Sequence, residues 1–327
     1  MMPPLESPQR ADEARALEAP VERKRMLVVC NPYATTVCER LKSLVVYALQ
    51  GRYDVHAVDT EGRDHATALC KEAAADGYDI VVVFGGDGTV NEAANGLANT
   101  STALTALPGG ATNVYCRMLG IPNDVVDATE HLLRAADEWA PRRLDLGDVN
   151  GRHFLFSAGY GLDAAVVRRV DAHPRAKARF RHWYYATAGL TTFAREYVAR
   201  PPQIDLTVGD HTVRGVTALV QTGDPYTYFS THPLHVADDI ALDDGTIAGA
   251  MLKRSRPYDV PTVLARLFST RRRVSKHRRV FEWHGRTHAR AASADGRPVP
   301  LQVDGDYIGD TLEARFEVLP GALTVLT

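Results

Sequence analysis

A strand-like run, a glycine-rich turn and a helix-like segment follow one another without interruption, and this arrangement constrains the fold more than any other part of the chain. The apolar run Val81–Phe84 leads directly into the glycine loop, Gly85–Thr89, and helical sequence follows. Glycines let the backbone turn sharply and approach a ligand closely. Consecutive N–H groups at a helix start bind anions, whereas the Asp87 carboxylate repels phosphate unless a cation lies between them. The segment therefore predicts a nucleotide–metal site.

Strand and helix signals alternate through the first half of the chain. Apolar, β-branched runs indicate strands at Met26–Cys30, Tyr53–Val58, Asp79–Phe84 and Ala103–Leu107. Residues with helical periodicity separate these runs. This order predicts a parallel sheet covered by helices, in which ligands bind beyond the carboxyl ends of the strands. Those ends are followed by Asn31, Thr60, the glycine loop and Pro108-Gly109-Gly110. We therefore expect four loops to meet at one edge of the sheet.

Two four-residue patterns predict helix starts in this half. Thr36–Glu39 and Thr89–Glu92 both have the spacing of a capping box, in which the first side chain caps the helix and the glutamate reaches back to the cap. In the second box Glu92 fits this structural role and a catalytic role equally well, so both alternatives stay open.

The pattern changes after about residue 142. Short, β-rich segments separated by turns predict a largely antiparallel second domain; they are Ile204–Val208, Val213–Gln221, Gly245–Leu252, Arg297–Val303 and Ala314–Leu319. We therefore divide the chain into a nucleotide-binding α/β domain at 26–142 and a β-rich domain at 143–327. Residues 1–25 are rich in Pro, Ala, Glu and Arg and lack an apolar segment, which predicts a mobile tail.

Composition limits the class of protein. The chain has 327 residues, enough for two domains, and its 45% hydrophobic and 24% charged residues are typical of a globular protein. No apolar run reaches the ~18 residues of a membrane-spanning helix. The four cysteines form no Cys-x-x-Cys pair, so we predict reduced thiols in a cytosolic protein.

The net charge is only −2, but it is unevenly distributed. The stretch Lys253–Arg290 holds twelve Lys or Arg and two acidic residues, a charge of +10. Such a local surface indicates an anionic partner more than a nucleic acid, which a globally basic chain would suit better. The basic segments 168–182 and 265–279 have aromatic or apolar neighbours, such as Leu264 and Phe268, a composition typical of docking to an anionic membrane surface. The alternative is a solvated charged face.

The glycine loop and its continuation to Glu92 resemble the signature loop of the diacylglycerol kinase catalytic family. From about residue 26 onward the chain resembles the soluble bacterial branch of that family. Three further motifs agree in the same order: Pro108–Asn113 resembles the second nucleotide loop, Leu242–Thr246 the Asp-Asp-Gly turn, and Val303–Asp306 the segment with the catalytic base.

This resemblance implies ATP-dependent phosphorylation of a lipid hydroxyl, most readily that of diacylglycerol or a related lipid. It implies an α/β N-terminal lobe, whose parallel sheet is similar to those of NAD kinases and phosphofructokinases, and a mainly antiparallel β-sandwich as the C-terminal lobe, which binds the lipid. The active site would lie between the lobes. The enzyme is expected in the cytoplasm, peripheral to the inner face of the membrane.

The resemblance also assigns roles to single residues. ATP contacts are implied at Asn31, Thr60, Gly85, Gly86, Asp87, Gly88, Thr89, Asn91, Gly110, Ala111 and Asn113. Asp87 is implied to position the catalytic metal, Asp306 to accept the hydroxyl proton as the base, and Asp304 to orient the site or to link to metal. A structural Mg²⁺ is implied at Asp244, with the backbone carbonyls of Ala241 and Thr246 completing its site.

The chain departs from the family pattern at three single positions and in the first loop, where Tyr33-Ala34 follows Asn31-Pro32 in place of the usual Ser-Gly. Ala111 stands where the family has Thr, Val114 where it has Asp, and Asp306 where it has Glu. The loss of a hydroxyl contact to phosphate costs about 1 kcal/mol, and Asp is one methylene shorter than Glu. Two alternatives therefore stay open: an NAD kinase-like enzyme, which shares the Gly-Gly-Asp-Gly loop, and a non-catalytic regulator that binds lipid or nucleotide.

Overall fold

A computed structural model describes residues 23–173, 184, 187–198, 200–237, 240–269 and 273–327. The predicted tail at 1–25 lies almost wholly outside the described residues, and Arg25 begins the first strand. Parts of both basic segments, 174–182 and 270–272, also lie outside them. Within the described ranges, no helix has the length and apolar character needed to cross a bilayer. The four cysteines are free thiols, as predicted.

The first half alternates strands and helices. Its elements are β1 (Arg25–Cys30), α1 (Glu39–Gln50), β2 (Asp54–Asp59), α2 (His65–Ala75), β3 (Ile80–Gly85), α3 (Asp87–Leu97), β4 (Ala103–Pro108), α4 (Val114–Met118) and α5 (Val125–Glu138). The strands pair in parallel in the order β2-β1-β3-β4. Strands β3 and β4 are buried along their whole length, because helices cover both faces of such a sheet. All four carboxyl ends therefore lie at one edge.

The second half is mainly antiparallel. Its strands are β5 (Arg142–Val149), β6 (Arg152–Phe154), β7 (Ser157–Gly161), β8 (Ile204–Val208), β9 (His211–Gly215), β10 (Thr217–Gln221), β11 (Thr227–Phe229), β12 (His232–Leu234), β13 (Ile247–Leu252), β14 (Val280–Arg286), β15 (His288–Ser293), β16 (Val299–Val303), β17 (Asp306–Thr311) and β18 (Glu313–Val325). The described helical residues of this half form α6 (Leu162–Asp171), a helical segment at 187–192 that continues into a π-helical turn at Phe193–Tyr197, and α7 (Val260–Leu267).

A second core lies between two sheets in this half. One sheet has the order β14-β13-β10-β7-β16-β17. It packs against β8, β15 and β18 through buried apolar side chains that include Phe154, Tyr160, Leu206, Trp283 and Phe316. The predicted fold class, a parallel α/β lobe followed by an antiparallel β-rich lobe, is therefore confirmed.

Strand β18 joins the two halves. Its 13 residues pair with β15 at one end and with β5 along most of their length. Near its end Val325 pairs in parallel with Leu104 of β4. As far as the structure describes the chain, the parallel strands and one layer of the sandwich thus form a single ten-stranded sheet. This sheet crosses the boundary that we predicted at residue 142, and that boundary stays a prediction.

Both predicted capping boxes are wrong. Helix α1 begins at Glu39 after the N-cap Cys38, and α3 begins at Asp87 after the N-cap Gly86, with no side-chain cap hydrogen bond in either case. Thr36 instead donates to the Pro108 carbonyl at 3.3 Å. The second box fails because the extended backbone of Gly86 enters the helix directly, which leaves Thr89 inside the helix rather than before it.

Candidate active site

The glycine loop and the second nucleotide loop touch at the carboxyl edge of the parallel sheet. Gly109 N donates to the Gly85 carbonyl at 2.8 Å. A Cβ added at Gly110 would lie 2.8 Å from Gly86 Cα, and a Cβ at Gly109 would lie 2.8 Å from Gly85 Cα. No side chain fits between these backbones. Two of the predicted nucleotide loops thus form one continuous backbone surface.

Two further strand ends adjoin this surface. Asn31 Nδ2 donates to Thr89 Oγ1 at 3.0 Å, which ties the end of β1 to the first turns of α3. Thr60 follows β2; its N–H donates to the Cys30 carbonyl at 2.8 Å, and its side chain is buried. The structure therefore brings Asn31, Thr60 and Thr89 to the predicted edge, although the Thr89 hydroxyl already has Asn31 as a partner.

Asn113 shapes the second nucleotide loop. Its Oδ1 accepts a hydrogen bond from Gly110 N at 2.8 Å, and its Nδ2 donates to the Gly110 carbonyl at 3.0 Å. Asn113 is buried and has a φ of 50°, a left-handed conformation that asparagine tolerates. Ala111 at the tip of this loop is exposed. The loop therefore keeps its shape through Asn113, while Ala111 stays open to a ligand.

Asp87 caps a helix other than its own. Its Oδ2 and Oδ1 accept hydrogen bonds from Val114 N and Tyr115 N, both at 3.0 Å, in the first turn of α4. Burial raises the pKa of this carboxyl, and the two N–H groups partly offset that rise. A carboxylate is favourable at a helix N-terminus. Asp87 thus joins the glycine loop to the second loop, and its role in holding a metal stays a prediction.

Asp306 lies directly against the glycine loop. It begins β17, and its Oδ2 is 2.7 Å from the position that a Cβ would take at Gly88. Gly88 is in the first turn of α3, so the absence of a side chain there permits this approach. The fold therefore brings the last motif of the chain to the first one, across the boundary between the two lobes.

Asp304 anchors the turn that carries Asp306. Its carboxylate accepts hydrogen bonds from Leu155 N at 2.7 Å, from Phe156 N and Ser157 N at 3.0 Å, and from Asn91 Nδ2 at 2.8 Å. Burial raises the pKa of Asp304 to about 6, and these four donors limit the rise. With its oxygens bound in this way, Asp304 has the geometry of an orienting group.

Asn91 connects the lobes beneath the glycine loop. It is 1% exposed, donates to the His153 carbonyl at 2.9 Å as well as to Asp304, and accepts from Arg152 Nη2 at 3.0 Å. Its contact with ATP stays a prediction, because protein groups bind both ends of its amide. Sequence reasoning missed Arg152, whose Nε is buried with no hydrogen-bond partner among the described residues.

Glu92 caps helix α2. Its Oε1 accepts from Asp64 N at 2.9 Å, and its Oε2 accepts from Ala66 N at 3.2 Å. The structure thus gives Glu92 a capping role, but toward a neighbouring helix instead of its own. Through this contact, α3 fixes the loop that follows Thr60.

Gln302 supports the Asp304–Asp306 turn from the other side, and no sequence signal singled it out. Its Oε1 accepts from Gly305 N at 2.8 Å. Its Nε2 donates to Asp163 Oδ2 at 2.7 Å and to Tyr226 Oη at 2.9 Å. Burial raises the pKa of Asp163, while its bonds to Tyr226 and Gln302 lower it in part. A buried polar network therefore holds the turn in place.

The turn at 241–245 is fixed by two carboxylates. Asp244 Oδ2 accepts from Ala241 N at 2.7 Å, and Asp145, which sequence reasoning missed, accepts from Gly245 N at 2.6 Å. Within the described residues, no three His, Cys, Asp or Glu side chains converge as metal ligands. A single carboxylate with waters can hold Mg²⁺, but one oxygen of Asp244 already accepts the Ala241 N–H. The Mg²⁺ site at Asp244, Ala241 and Thr246 therefore stays a prediction.

Comparison with known proteins places the chain among kinases. Residues 25–148 match the diacylglycerol kinase catalytic domain. A diacylglycerol kinase of Bacillus subtilis (strain 168) is 37% identical over 243 residues, which cover 71% of this chain and 75% of that protein. A diacylglycerol kinase of Staphylococcus aureus (strain MRSA252) is 26% identical over 302 residues, which cover 90% and 89%.

A solved structure shares the fold. The crystal structure of a diacylglycerol kinase from Bacillus anthracis str. Sterne has a TM-score of 0.71 at 24% identity, and the match covers 94% of this chain and 98% of that one. The matched catalytic domain contains the three loops built around Asn31, the glycine loop and Asn113, and the Bacillus subtilis relative extends the similarity over most of both chains. The chain therefore belongs to the diacylglycerol kinase catalytic domain family, which makes it a kinase of the lipid-kinase class.

Proposed function

We propose that this chain transfers the γ-phosphate of ATP to the hydroxyl group of diacylglycerol or a related lipid. The observation that carries the proposal is the approach of the Asp306 carboxylate to Gly88 in the glycine loop. A general base must lie within hydrogen-bond reach of its proton donor, directly or through one water. A phosphate at the start of α3 would stand beside this carboxylate, so one hydroxyl can reach both.

In the proposed step, the phosphates of ATP lie on the N–H groups of the glycine loop, with Asn31, Thr60 and the loop at 110–113 beside them. The lipid hydroxyl oxygen bonds to the γ-phosphorus while the bond from phosphorus to the β–γ bridging oxygen breaks. Asp306 accepts the hydroxyl proton, and Asp304 holds the turn. Positioning and charge neutralisation supply most of the acceleration, as is general for phosphoryl transfer.

Mg²⁺ is part of the proposal at two places. Asp87 would hold it near the phosphates, and Asp244 would hold a structural ion with the carbonyls of Ala241 and Thr246. The ion supplies neutralisation of phosphate charge. Asp87 also acts on the protein itself, because it fixes the second loop through the N–H groups of α4.

Radiolabelled ATP, Mg²⁺ and a total lipid extract test the proposal, with NAD as a parallel acceptor. We expect label in one phosphorylated lipid, identified by chromatography and mass spectrometry. Label in NADP alone would make the chain an NAD kinase-like enzyme. Binding of ATP without transfer to any acceptor would make it a regulator. The Asp244 and Asp304–Asp306 turns favour the lipid kinase over both.

We further propose that α7 docks the enzyme on an anionic membrane surface, at the inner face of the membrane. No residue of α7 is buried, and Leu264 and Phe268 are 47% and 45% exposed. The Phe268 ring packs on Phe229 at a centroid distance of 5.4 Å, which holds it at the surface. Arg266 lies on the same helix. Apolar side chains beside cations suit the headgroup region, where each cation adds about 1 kcal/mol.

Vesicle sedimentation tests this docking. We expect the double substitution Leu264→Ser and Phe268→Ser to weaken binding to phosphatidylserine-containing vesicles at least tenfold, and added salt to weaken binding of the unsubstituted chain. ATP affinity should not change. Val126→Ser, at a 66% exposed position on α5, is the matched control. If the double variant binds the vesicles as tightly as Val126→Ser does, the basic surface is only a solvated face.

A further inference from the structure

The loops at the carboxyl edge of the parallel sheet contain almost no positive charge. The loops that follow β1, β3 and β4 hold no Lys or Arg, and the loop at 60–64 that follows β2 holds Arg63. Phosphoryl transfer develops negative charge on the transferring group, and a positioned cation besides the metal stabilises that charge. Arg63 is therefore the basic side chain that the four loops themselves supply.

Arg63 is held from both lobes. Its Nη2 donates to the Tyr307 carbonyl at 3.2 Å, and Tyr307 immediately follows the proposed base. On the other side Glu92 accepts the N–H of Asp64, the next residue, at 2.9 Å. The side chain of Arg63 is exposed. Its guanidinium is thus tied to the residue that follows the proposed base and is open to solvent.

Two other cations of the first half already face an acidic or an aromatic side chain. Lys42 pairs with the Asp59 carboxylate at 2.6 Å. Arg117 donates to the Ser230 carbonyl at 3.2 Å and lies over the Tyr228 ring. For Arg63, the described residues supply a single carbonyl as hydrogen-bond acceptor, and a guanidinium has five N–H donors. The remaining donors can bind phosphate.

We propose that Arg63 is a catalytic residue, whose guanidinium contacts the γ-phosphoryl oxygens as the group passes from ATP to the lipid hydroxyl. This inference rests on the proposed kinase function. Arg63 exchanges no proton, since guanidinium stays protonated; the proton goes to Asp306, as in the step above. Its planar donors bind two phosphate oxygens at once, and its bond to Tyr307 ties that contact to the strand of the base.

Steady-state phosphotransfer tests the inference, with the lipid that the unsubstituted chain phosphorylates. We expect Arg63→Gln to lower kcat on the order of 100-fold, with the KM for lipid and the melting temperature nearly unchanged. Arg63→Lys should recover part of the loss, because Lys keeps the charge but loses the bidentate geometry. Arg134→Gln, at an exposed position of α5, is the matched control and should keep full activity.

Chemical rescue adds a readout that a structural role would not move. Guanidinium salt should raise the activity of Arg63→Ala several-fold and leave Arg134→Ala unchanged. A kcat loss below tenfold, a loss confined to the KM for ATP, or equal responses of the two alanine variants would overturn the role of Arg63. If the unsubstituted chain phosphorylates no lipid, the proposed function fails first, whatever Arg63 does.

Discussion

The glycine-loop edge and the Asp304–Asp306 turn form one site, but they differ in which groups provide the chemistry and in what holds those groups in place. At the edge, backbone N–H groups provide the chemistry, and the loops meet because parallel strands all point toward them. At the turn, one carboxylate provides the chemistry, and its place depends on partners such as Asn91 and Leu155 that are remote in sequence. The binding side therefore depends on the close approach of two backbones, and the catalytic side depends on the placement of one side chain.

The carboxylates show the same contrast. Asp87 and Asp304 both accept N–H groups of the protein and so hold the two sides of the site in shape. Asp306 is half-buried and lies against Gly88 of the glycine loop. Substitution of Asp87 or Asp304 should therefore change stability together with activity, whereas substitution of Asp306, the proposed base, should above all lower activity. Four predictions test this division.

The largest effect is expected for Asp306→Asn. The substitution keeps the shape of the side chain and removes its basicity, and general bases contribute ~10²–10⁴-fold to rate. We expect kcat to fall about 10³-fold with nucleotide affinity nearly unchanged, because the lost interaction belongs to the transition state. Steady-state kinetics and calorimetric ATP binding measure the two quantities.

Two variants control this experiment. Asp306→Glu should keep appreciable activity, since the family has Glu there. Asp310→Asn changes another carboxylate of β17, one that pairs with Arg168 at 3.1 Å, and should leave kcat unchanged. A rate for Asp306→Asn equal to that of the unsubstituted chain would remove Asp306 as the base and make Asp304 the next candidate.

Gly88→Ala should separate activity from stability. The new Cβ would lie 2.7 Å from Asp306 Oδ2, so the carboxylate must move, while Ala favours the helix by ~0.5–1 kcal/mol. We expect kcat to fall about 10- to 100-fold with an equal or higher melting temperature. Gly189→Ala, at a helical glycine with no atom within 4 Å of the new Cβ, should leave kcat unchanged. If Gly88→Ala and Gly189→Ala have equal kcat values, the position of the Asp306 carboxylate against Gly88 does not matter for catalysis.

Asp87→Asn should cost stability. Its two oxygens accept two backbone N–H groups, and an amide can accept only one while its NH₂ faces the other. We expect the free energy of unfolding to fall by about 1–3 kcal/mol, and turnover to fall with it because the second loop and the proposed metal both lose their anchor. Denaturant unfolding measures the first effect. An unchanged unfolding midpoint would contradict the capping role of Asp87.

The smallest effect concerns the pKa of Asp304, which burial raises to about 6. The unfolded value is about 3.9, so the folded state binds this proton more tightly. The contribution of Asp304 to stability is therefore fully present below about pH 4 and is lost as the pH rises through 6, by about 1 kcal/mol between pH 5 and 7.5.

Carboxyl ¹³C NMR titration checks this prediction directly, and Asp304→Asn assigns the resonance. We expect a midpoint near pH 6. A midpoint at the ordinary value of an aspartate would mean that the hydrogen bonds from Asn91 and from 155–157 fully compensate the burial.

Sequence patterns predicted the parallel half closely and the antiparallel half in part. The predicted strand at Asp79–Phe84 differs from β3 by one residue at each end, because apolar runs bounded by glycine or polar turns mark buried parallel strands. In the second half, the predicted strand at Val213–Gln221 is two strands, β9 and β10, that belong to different sheets. Strands β5, β6, β7, β11, β12, β14, β15 and β17 were not predicted, since strands of an antiparallel half acquire their pairing from partners distant in sequence.

By itself the sequence determined that four loops meet at one edge, because alternation of strands and helices forces parallel strands to end on the same side. It also located the glycine loop, since the residues that form it are contiguous. Only the tertiary structure decided that Asp306 reaches Gly88, that Glu92 caps α2, and that Arg63 contacts Tyr307. These contacts join residues far apart in the chain, and their distances depend on how β16, β17 and α3 pack, which no local pattern encodes.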